Sequence, residues 1–153
     1  MNKSSFSILY SSLKENAERF IHLGEGEETI DASELLSLRS TVINQTKELL
    51  PCTGDSVEEE ARICLLLLKG KSAFFGTQET EDLFECVLNR CYHVLPKLGP
   101  TLLKCQLLIY CYGEVLEEEL AEEAKEIMDG WGERELSEEE LKAKNLYQNI
   151  VFD

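Results

Sequence analysis

A chain of 153 residues with 43% apolar residues can form one domain that buries about 70% of its unfolded surface, so disorder is not the default reading. Its net charge of −15, from 30 acidic against 15 basic residues, argues against nucleic-acid binding through a cationic face and against docking on an anionic membrane. A basic protein partner, or plain solubility, remains.

The acidity is regional. Residues 1–113 carry 11 basic and 16 acidic groups, residues 114–140 carry 2 and 13, and the last thirteen carry 2 and 1.

In chain order the apolar pattern is helical throughout. Phe6, Leu9, Tyr10, Leu13, Ala17, Phe20 and Ile21 recur at steps of three and four after a start at Ser4 or Ser5. "GEGEE" at 24–28 ends that stripe. A second helix is predicted from about Asp31 to Leu50, with Leu35, Leu38, Val42 and Leu49 inward and Pro51 as the stop. Ser56 and Glu59 form a capping box for a third. Its stripe of Val57, Ala61, Cys64, Leu65, Leu68 and Phe75 is widened by Leu66 and Leu67, which predicts a central helix covered on several sides and closed by Gly76. A fourth runs over about 78–95 to Pro96, carried by Leu83, Phe84, Val87, Leu88, Cys91, Tyr92 and Leu95. A fifth covers about 101–112 and breaks at Gly113. A sixth, about 115–129, places Leu116, Leu120, Ala121, Ala124, Ile127 and Met128 on one side with Trp131 just beyond, and Ser137 with Glu140 caps a short last helix.

These elements make an all-α single domain of six to seven helices. An echo at a spacing of 37 aligns Leu65, Leu66 and Leu68 with Leu102, Leu103 and Cys105, and Phe75-Gly76 with Tyr112-Gly113. It suggests a helical-hairpin repeat over 57–95 and 101–131, of the tetratricopeptide kind. A closed bundle and a hairpin array both stay open.

Motifs of chemistry are weak. "LLKGKS" at 67–72 copies the end of a phosphate loop, but Leu65 stands where the first glycine belongs and the stretch lies in a helical stripe. Asp129 to Glu140 has the length of a calcium loop, yet Trp131 and Arg134 occupy its third and sixth positions. Cys86, Cys91 and His93 fall on different helix faces, and no CxxC pair occurs, so zinc is not expected. His22 and His93 both sit at helix ends, where the dipole favours an imidazolium. No nucleophile, base and orienter come together, and no cofactor, metal or catalysis is expected. Five of the six cysteines lie in apolar helical patterns and no signal-peptide core is seen. They read as free thiols in a reducing cytoplasm.

The acidic helix stands out. Glu118–Glu122, Glu119–Glu123 and Glu122–Glu126 are like-charge pairs four residues apart, each costing about 0.2–0.5 kcal/mol. Interleaved lysines would have removed that cost. The alternatives are a solvated face and a docking surface for a cationic partner. The docking candidates are Glu114, Glu118, Glu122 and Glu126, with Tyr110, Tyr112 and Trp131 as anchors.

"EEEARICLLLLKGKSA", "LNRCYHVL", "LLKCQLLIYCYGEV", "EEELAEEAKEIMDGW" and "RELSEEE" resemble the UpxZ family, small bacterial proteins of capsular-polysaccharide loci, over roughly residues 56–140. Residues 1–55 are similar to it only in length and helical pattern. The resemblance implies a regulator without catalysis or cofactor. Its implied partner is a NusG-like (UpxY-type) antiterminator of another capsule locus, with RNA polymerase as a further candidate, and it assigns no binding residues. Two other readings stay open: a helical-repeat scaffold for an unrelated basic protein, and a metal-dependent helical enzyme with no known motif.

Overall fold

The computed structural model describes residues 2–23, 31–75 and 80–151. The described residues hold seven α-helices: α1 (Lys3–Ile21), α2 (Ala32–Leu49), α3 (Val57–Gly70), α4 (Thr80–Val94), α5 (Leu102–Val115), α6 (Glu118–Asp129) and α7 (Glu138–Val151). Short 3-10 turns follow α3 (Lys71–Phe74) and α4 (Leu95–Lys97), and no strand occurs among the described residues.

Local chemistry sets most of the ends. Asn2, rather than a serine, caps α1 by accepting from the Ser5 amide at 2.8 Å. Asp31 caps α2, accepting from Glu34 N at 2.9 Å, and Pro51 follows its last turn. Ser56 accepts from Glu59 N at 3.0 Å, while the Glu59 carboxylate reaches back to the Asp55 amide at 3.2 Å, one residue beyond a strict capping box. The stops expected at 24–28 and Gly76 lie outside the described residues.

Packing follows chain order. α1 packs on α2, α3 on α4, and α5 on α6, giving three hairpins. α1 also packs on α3, α3 on α5, and α5 on α7, so the odd-numbered helices form one continuous row. The third helix is central as its sequence predicts: every residue from Ile63 to Leu68 is buried. Leu13, Ala17, Val42, Leu49, Phe74, Val87, Leu107, Leu108 and Ala124 complete the interior, with the Phe74 and Phe84 rings edge to face at 5.2 Å.

Polar ties lock the hairpins. Asn16 Nδ2 donates to Gln45 Oε1 at 3.1 Å and Gln45 Nε2 to Ser12 Oγ at 2.8 Å, joining α1 to α2. Arg39 reaches from α2 to the Ala73 carbonyl at 2.8 Å and to that of Phe75, which holds the first 3-10 turn. Gly54 has no room for a side chain, because a Cβ would sit 2.3 Å from the Glu60 backbone nitrogen.

Several sequence expectations are corrected. Leu35 is exposed, and Phe75 lies past the 3-10 turn at 86% exposure instead of extending the α3 stripe. Gly113 does not break the fifth helix, which continues to Val115; an interior glycine costs only about 1 kcal/mol. The chain reverses at Leu116, whose φ of 57° is left-handed and whose side chain is 66% exposed, so Leu116 is not part of the buried face of α6. Cys64, Cys91, Cys105 and Cys111 are buried and free, whereas Cys86 is exposed and Cys52 half-buried.

The last helix is longer than expected and opens on a reciprocal cap. Glu140 N donates to Ser137 Oγ at 3.2 Å and Ser137 N donates to Glu140 Oε1 at 2.8 Å. Arg134 clamps both oxygens of the same carboxylate. The Arg134 hydrogen bond, then the Ser137 amide, lowers the Glu140 pKa from 4.5 to about 2. A depressed carboxyl stabilises the fold above its unfolded pKa, and that contribution is lost as pH falls through the folded value. Protection of the amides at the α7 N-terminus, taken relative to intrinsic exchange at each pH, should therefore fall between pH 4.5 and about 2, and Glu140→Gln should remove that loss of protection.

Candidate functional site

Two surfaces stand apart from the core by their charge. The first is the outward face of α6. Leu120, Ala121, Ala124 and Ile127 turn into the fold, which forces Glu118, Glu119, Glu122 and Glu126 outward, and all four are exposed. None of these four carboxylates has an ion-pair partner among the described residues, although ion pairs are common elsewhere in the molecule. Glu123, on the flank, is tied to Lys104 of α5 at 2.5 Å, and Lys125 reaches Asp129 at 3.5 Å. Glu118, Glu122 and Glu126 thus form an uncompensated stripe with one member per turn.

The anchors nominated from sequence are distributed around that stripe. Trp131, half-buried just past α6, has the Arg134 guanidinium over its ring at 5.9 Å. It borders a recess of about 290 Å³ with Met128, Leu136, Lys144 and Tyr147. Tyr112 is half-buried against the core, and Glu114, near the end of α5, is held by Lys71. Tyr110 faces elsewhere. It lines a groove between α1, α3, α5 and α7, where burial, then the charge of Glu18, pushes its hydroxyl up to about 12.

That groove is the second surface, and sequence reasoning missed it. Lys69 of α3 spans it, with its amine 2.7 Å from Glu18 of α1 and 5.9 Å from the centre of the Tyr110 ring. Burial pushes Glu18 up, but the hydrogen bond and charge of Lys69, with His22 beside it, leave its carboxyl below the usual range. No local pattern could have announced this grouping, because Glu18, Lys69 and Tyr110 come from three different helices.

The residues weighed for chemistry do not assemble into a centre. Cys86 and His93 are exposed while Cys91 is buried, and no group of three metal-ligating side chains occurs among the described residues. Gly70 of "LLKGKS" is the last residue of α3, with helical φ of −64° and its back against Thr46. In the stretch from Asp129 to Glu140, the final carboxylate is used by Arg134 and Ser137. Among the described residues, no helix is long and apolar enough to cross a membrane.

Comparison with known proteins decides the family. Residues 10–113 match the UpxZ family of transcription anti-terminator antagonists, a span from α1 through most of α5. The chain belongs to the UpxZ family. The match begins well before residue 56, so the N-terminal hairpin is part of the family's common body and not merely similar in length. A crystal structure of a transcription anti-terminator antagonist UpxZ from Bacteroides uniformis superposes with a TM-score of 0.83 at 26% identity, covering 97% of this chain and 93% of that one. The all-α architecture is therefore that of a solved UpxZ protein. No curated protein sequence matches the chain. As a UpxZ protein it falls in a class of transcription anti-terminator antagonists, a regulatory role whose partner is an antiterminator.

Proposed function

We propose that this UpxZ protein acts in the cytoplasm by binding directly to a NusG-like (UpxY-type) antiterminator of another capsular-polysaccharide locus, and that the outward face of α6 makes the first contact. The observation that carries the surface is the unpaired stripe of Glu118, Glu122 and Glu126. Carboxylates already engaged with lysine would have to break those pairs to meet a partner, whereas these three offer their full field at once. Such a field raises the rate of encounter with a basic patch and excludes acidic competitors. Lifetime is then set by apolar and aromatic contacts, for which Trp131 and Tyr112 supply half-buried rings, whereas Glu114 would first have to release Lys71 and Tyr110 faces the other surface. RNA polymerase enters only through the antiterminator it would otherwise receive. No bond is made or broken, and no cofactor is needed.

The test is a titration against a panel of NusG-like antiterminators at two ionic strengths. The wild-type chain should associate with at least one of them, more slowly at higher salt as screening shortens from about 10 Å at 0.1 M to about 3 Å at 1 M. Glu118→Lys, Glu122→Lys and Glu126→Lys together should slow association about tenfold or more while helicity is retained. Unchanged association by the triple variant would remove α6 as the surface. Failure of the wild-type chain to bind any antiterminator would remove the mechanism itself.

A further inference from the structure

The groove along the odd-numbered helices carries a charge opposite to that of the molecule. It comprises a recess of about 630 Å³ and a neighbouring one of about 340 Å³, with Lys69, Gln106 and Glu139 lining both. Lys14, Arg62, Lys69 and Lys142 line it, against the carboxylates of Glu18 and Glu139. This is a net excess of cations in a chain of net charge −15. Lys69 is committed to Glu18, and Lys142 to Glu138 and Glu139 at 3.8 and 3.3 Å. Lys14 and Arg62 are exposed and have no ion pair among the described residues. Among the described residues these two cations are therefore unpaired at one end of the groove.

The floor of the groove is apolar. Leu65 and Leu66 of α3 and Ile109 of α5 are buried at its base, with Leu102, Leu103 and Leu146 half-buried along its length. Side-chain amides complete the lining. Gln106, Asn145 and Asn149 face the groove without a hydrogen bond to any described residue. An amide offers a donor and an acceptor together, which is what a peptide backbone requires of a binding surface. Along α1 the lining runs from Tyr10 to His22, roughly 18 Å at 1.5 Å per residue, room for about five residues of extended chain.

We infer that this groove docks an acidic, apolar-anchored peptide segment of a partner protein. Its carboxylates meet Lys14 and Arg62, its apolar side chains rest on the leucine floor, and its backbone bonds to the three amides. The surface is distinct from the α6 stripe and has the opposite electrostatic preference, so the inference does not rest on the α6 proposal. A nucleic acid carries a charge on every nucleotide against only two cations left unpaired in the groove among the described residues, and it has no apolar side chains for the leucine floor. A peptide can place one or two carboxylates at Lys14 and Arg62 and apolar groups beyond them. The acidic helix of a second copy cannot fill the groove with its own apolar face, because Leu120, Ala121, Ala124 and Ile127 are already buried.

The full-length protein should be used to select from a display library of random peptides long enough to span the groove. Selected peptides are expected to combine Asp or Glu with Leu, Ile or Phe, and to bind in solution by fluorescence anisotropy. Lys14→Glu with Arg62→Glu should weaken that binding about tenfold or more, as should raised salt, while circular dichroism stays unchanged. Lys14→Ala with Arg62→Ala should act in the same direction less strongly. The triple lysine substitution on α6 should leave peptide binding intact. Three results would overturn the inference: no enrichment over the unselected library, selected peptides indifferent to both Lys14 and Arg62 pairs, or a dimer in sedimentation that the Lys14→Glu, Arg62→Glu variant dissociates.

Discussion

Replacing Arg90 with alanine is expected to destabilise the fold by about 3 kcal/mol, lowering Tm by roughly 6–12 °C. Arg90 stands on α4 and reaches two neighbours at once. Its Nε and Nη2 grip the two oxygens of Glu60 on α3, each at 2.8 Å. Its Nη1 and Nη2 donate to the Leu50 and Cys52 carbonyls at 2.9 and 2.7 Å, satisfying acceptors that the end of α2 leaves open. The Glu60 carboxylate also accepts from the Gly54 amide at 3.0 Å, so one guanidinium organises the whole connection from α2 to α3. The Arg90 and Glu60 side chains are only 16% and 18% exposed. Deleting the cation strands a partly buried carboxylate and leaves two carbonyls short of a donor, which is why the loss exceeds that of a surface pair.

Arg90→Lys should recover part of the loss, since one ammonium cannot reproduce the planar fork. Burial pushes Glu60 up, but the hydrogen bonds from Arg90 and Gly54 and the arginine charge leave its pKa below 4.5. The stability it contributes is present above the unfolded pKa and lost as pH falls through the folded value. Thermal melts of wild type and Arg90→Ala should therefore converge in acid. A Tm difference that is unchanged at low pH would contradict the assignment.

Gly70→Ala is the second large effect, and its sign opposes intrinsic preference. At the C-terminal end of a helix, alanine for glycine ordinarily gains up to about 1 kcal/mol. Here a Cβ would lie 2.2 Å from Thr46 Oγ1 and 3.2 Å from both Thr46 Cβ and Cγ2. Thr46 cannot turn aside freely, because it is buried in α2 and its hydroxyl donates to the Val42 carbonyl at 2.7 Å. Forcing α2 and α3 apart should cost about 2–3 kcal/mol net, read as a shift of the denaturation midpoint at constant slope. In a Thr46→Ala background the oxygen is gone, and Gly70→Ala should become close to neutral. A coupling of about 2 kcal/mol in that double-mutant cycle is the expected signature, and strict additivity would refute the contact.

The electrostatic character of the molecule bears on how an antagonist of transcription antiterminators selects its target. An unpaired acidic stripe on α6 and a cationic groove on the odd-numbered row would allow a partner to be read by two opposite charges in fixed register. Discrimination by two such sites is stronger than by either alone, because a competitor must satisfy both together.

The sequence by itself determined the seven helices, most of their ends and most of their inward faces. Helical hydrogen bonds, caps and apolar stripes are decided within one or two turns of the same segment, so "DSVEEEARICLLLL" announces both its cap and its burial. The acidic stripe of α6 was legible for the same reason, being a periodicity of one helix. Gly113 and Leu116 depart from the local pattern because an interior glycine is only weakly destabilising and the place of reversal depends on how α5 and α6 pack. Tertiary structure alone decided that the odd-numbered helices stand in one row, that Arg90 meets Glu60, and that Lys14, Arg62, Lys69 and Lys142 share a groove. Apart from Arg62 and Lys69, which share α3, these side chains lie tens of residues apart, and their meeting depends on the order and rotation of packed helices, which no local spacing encodes.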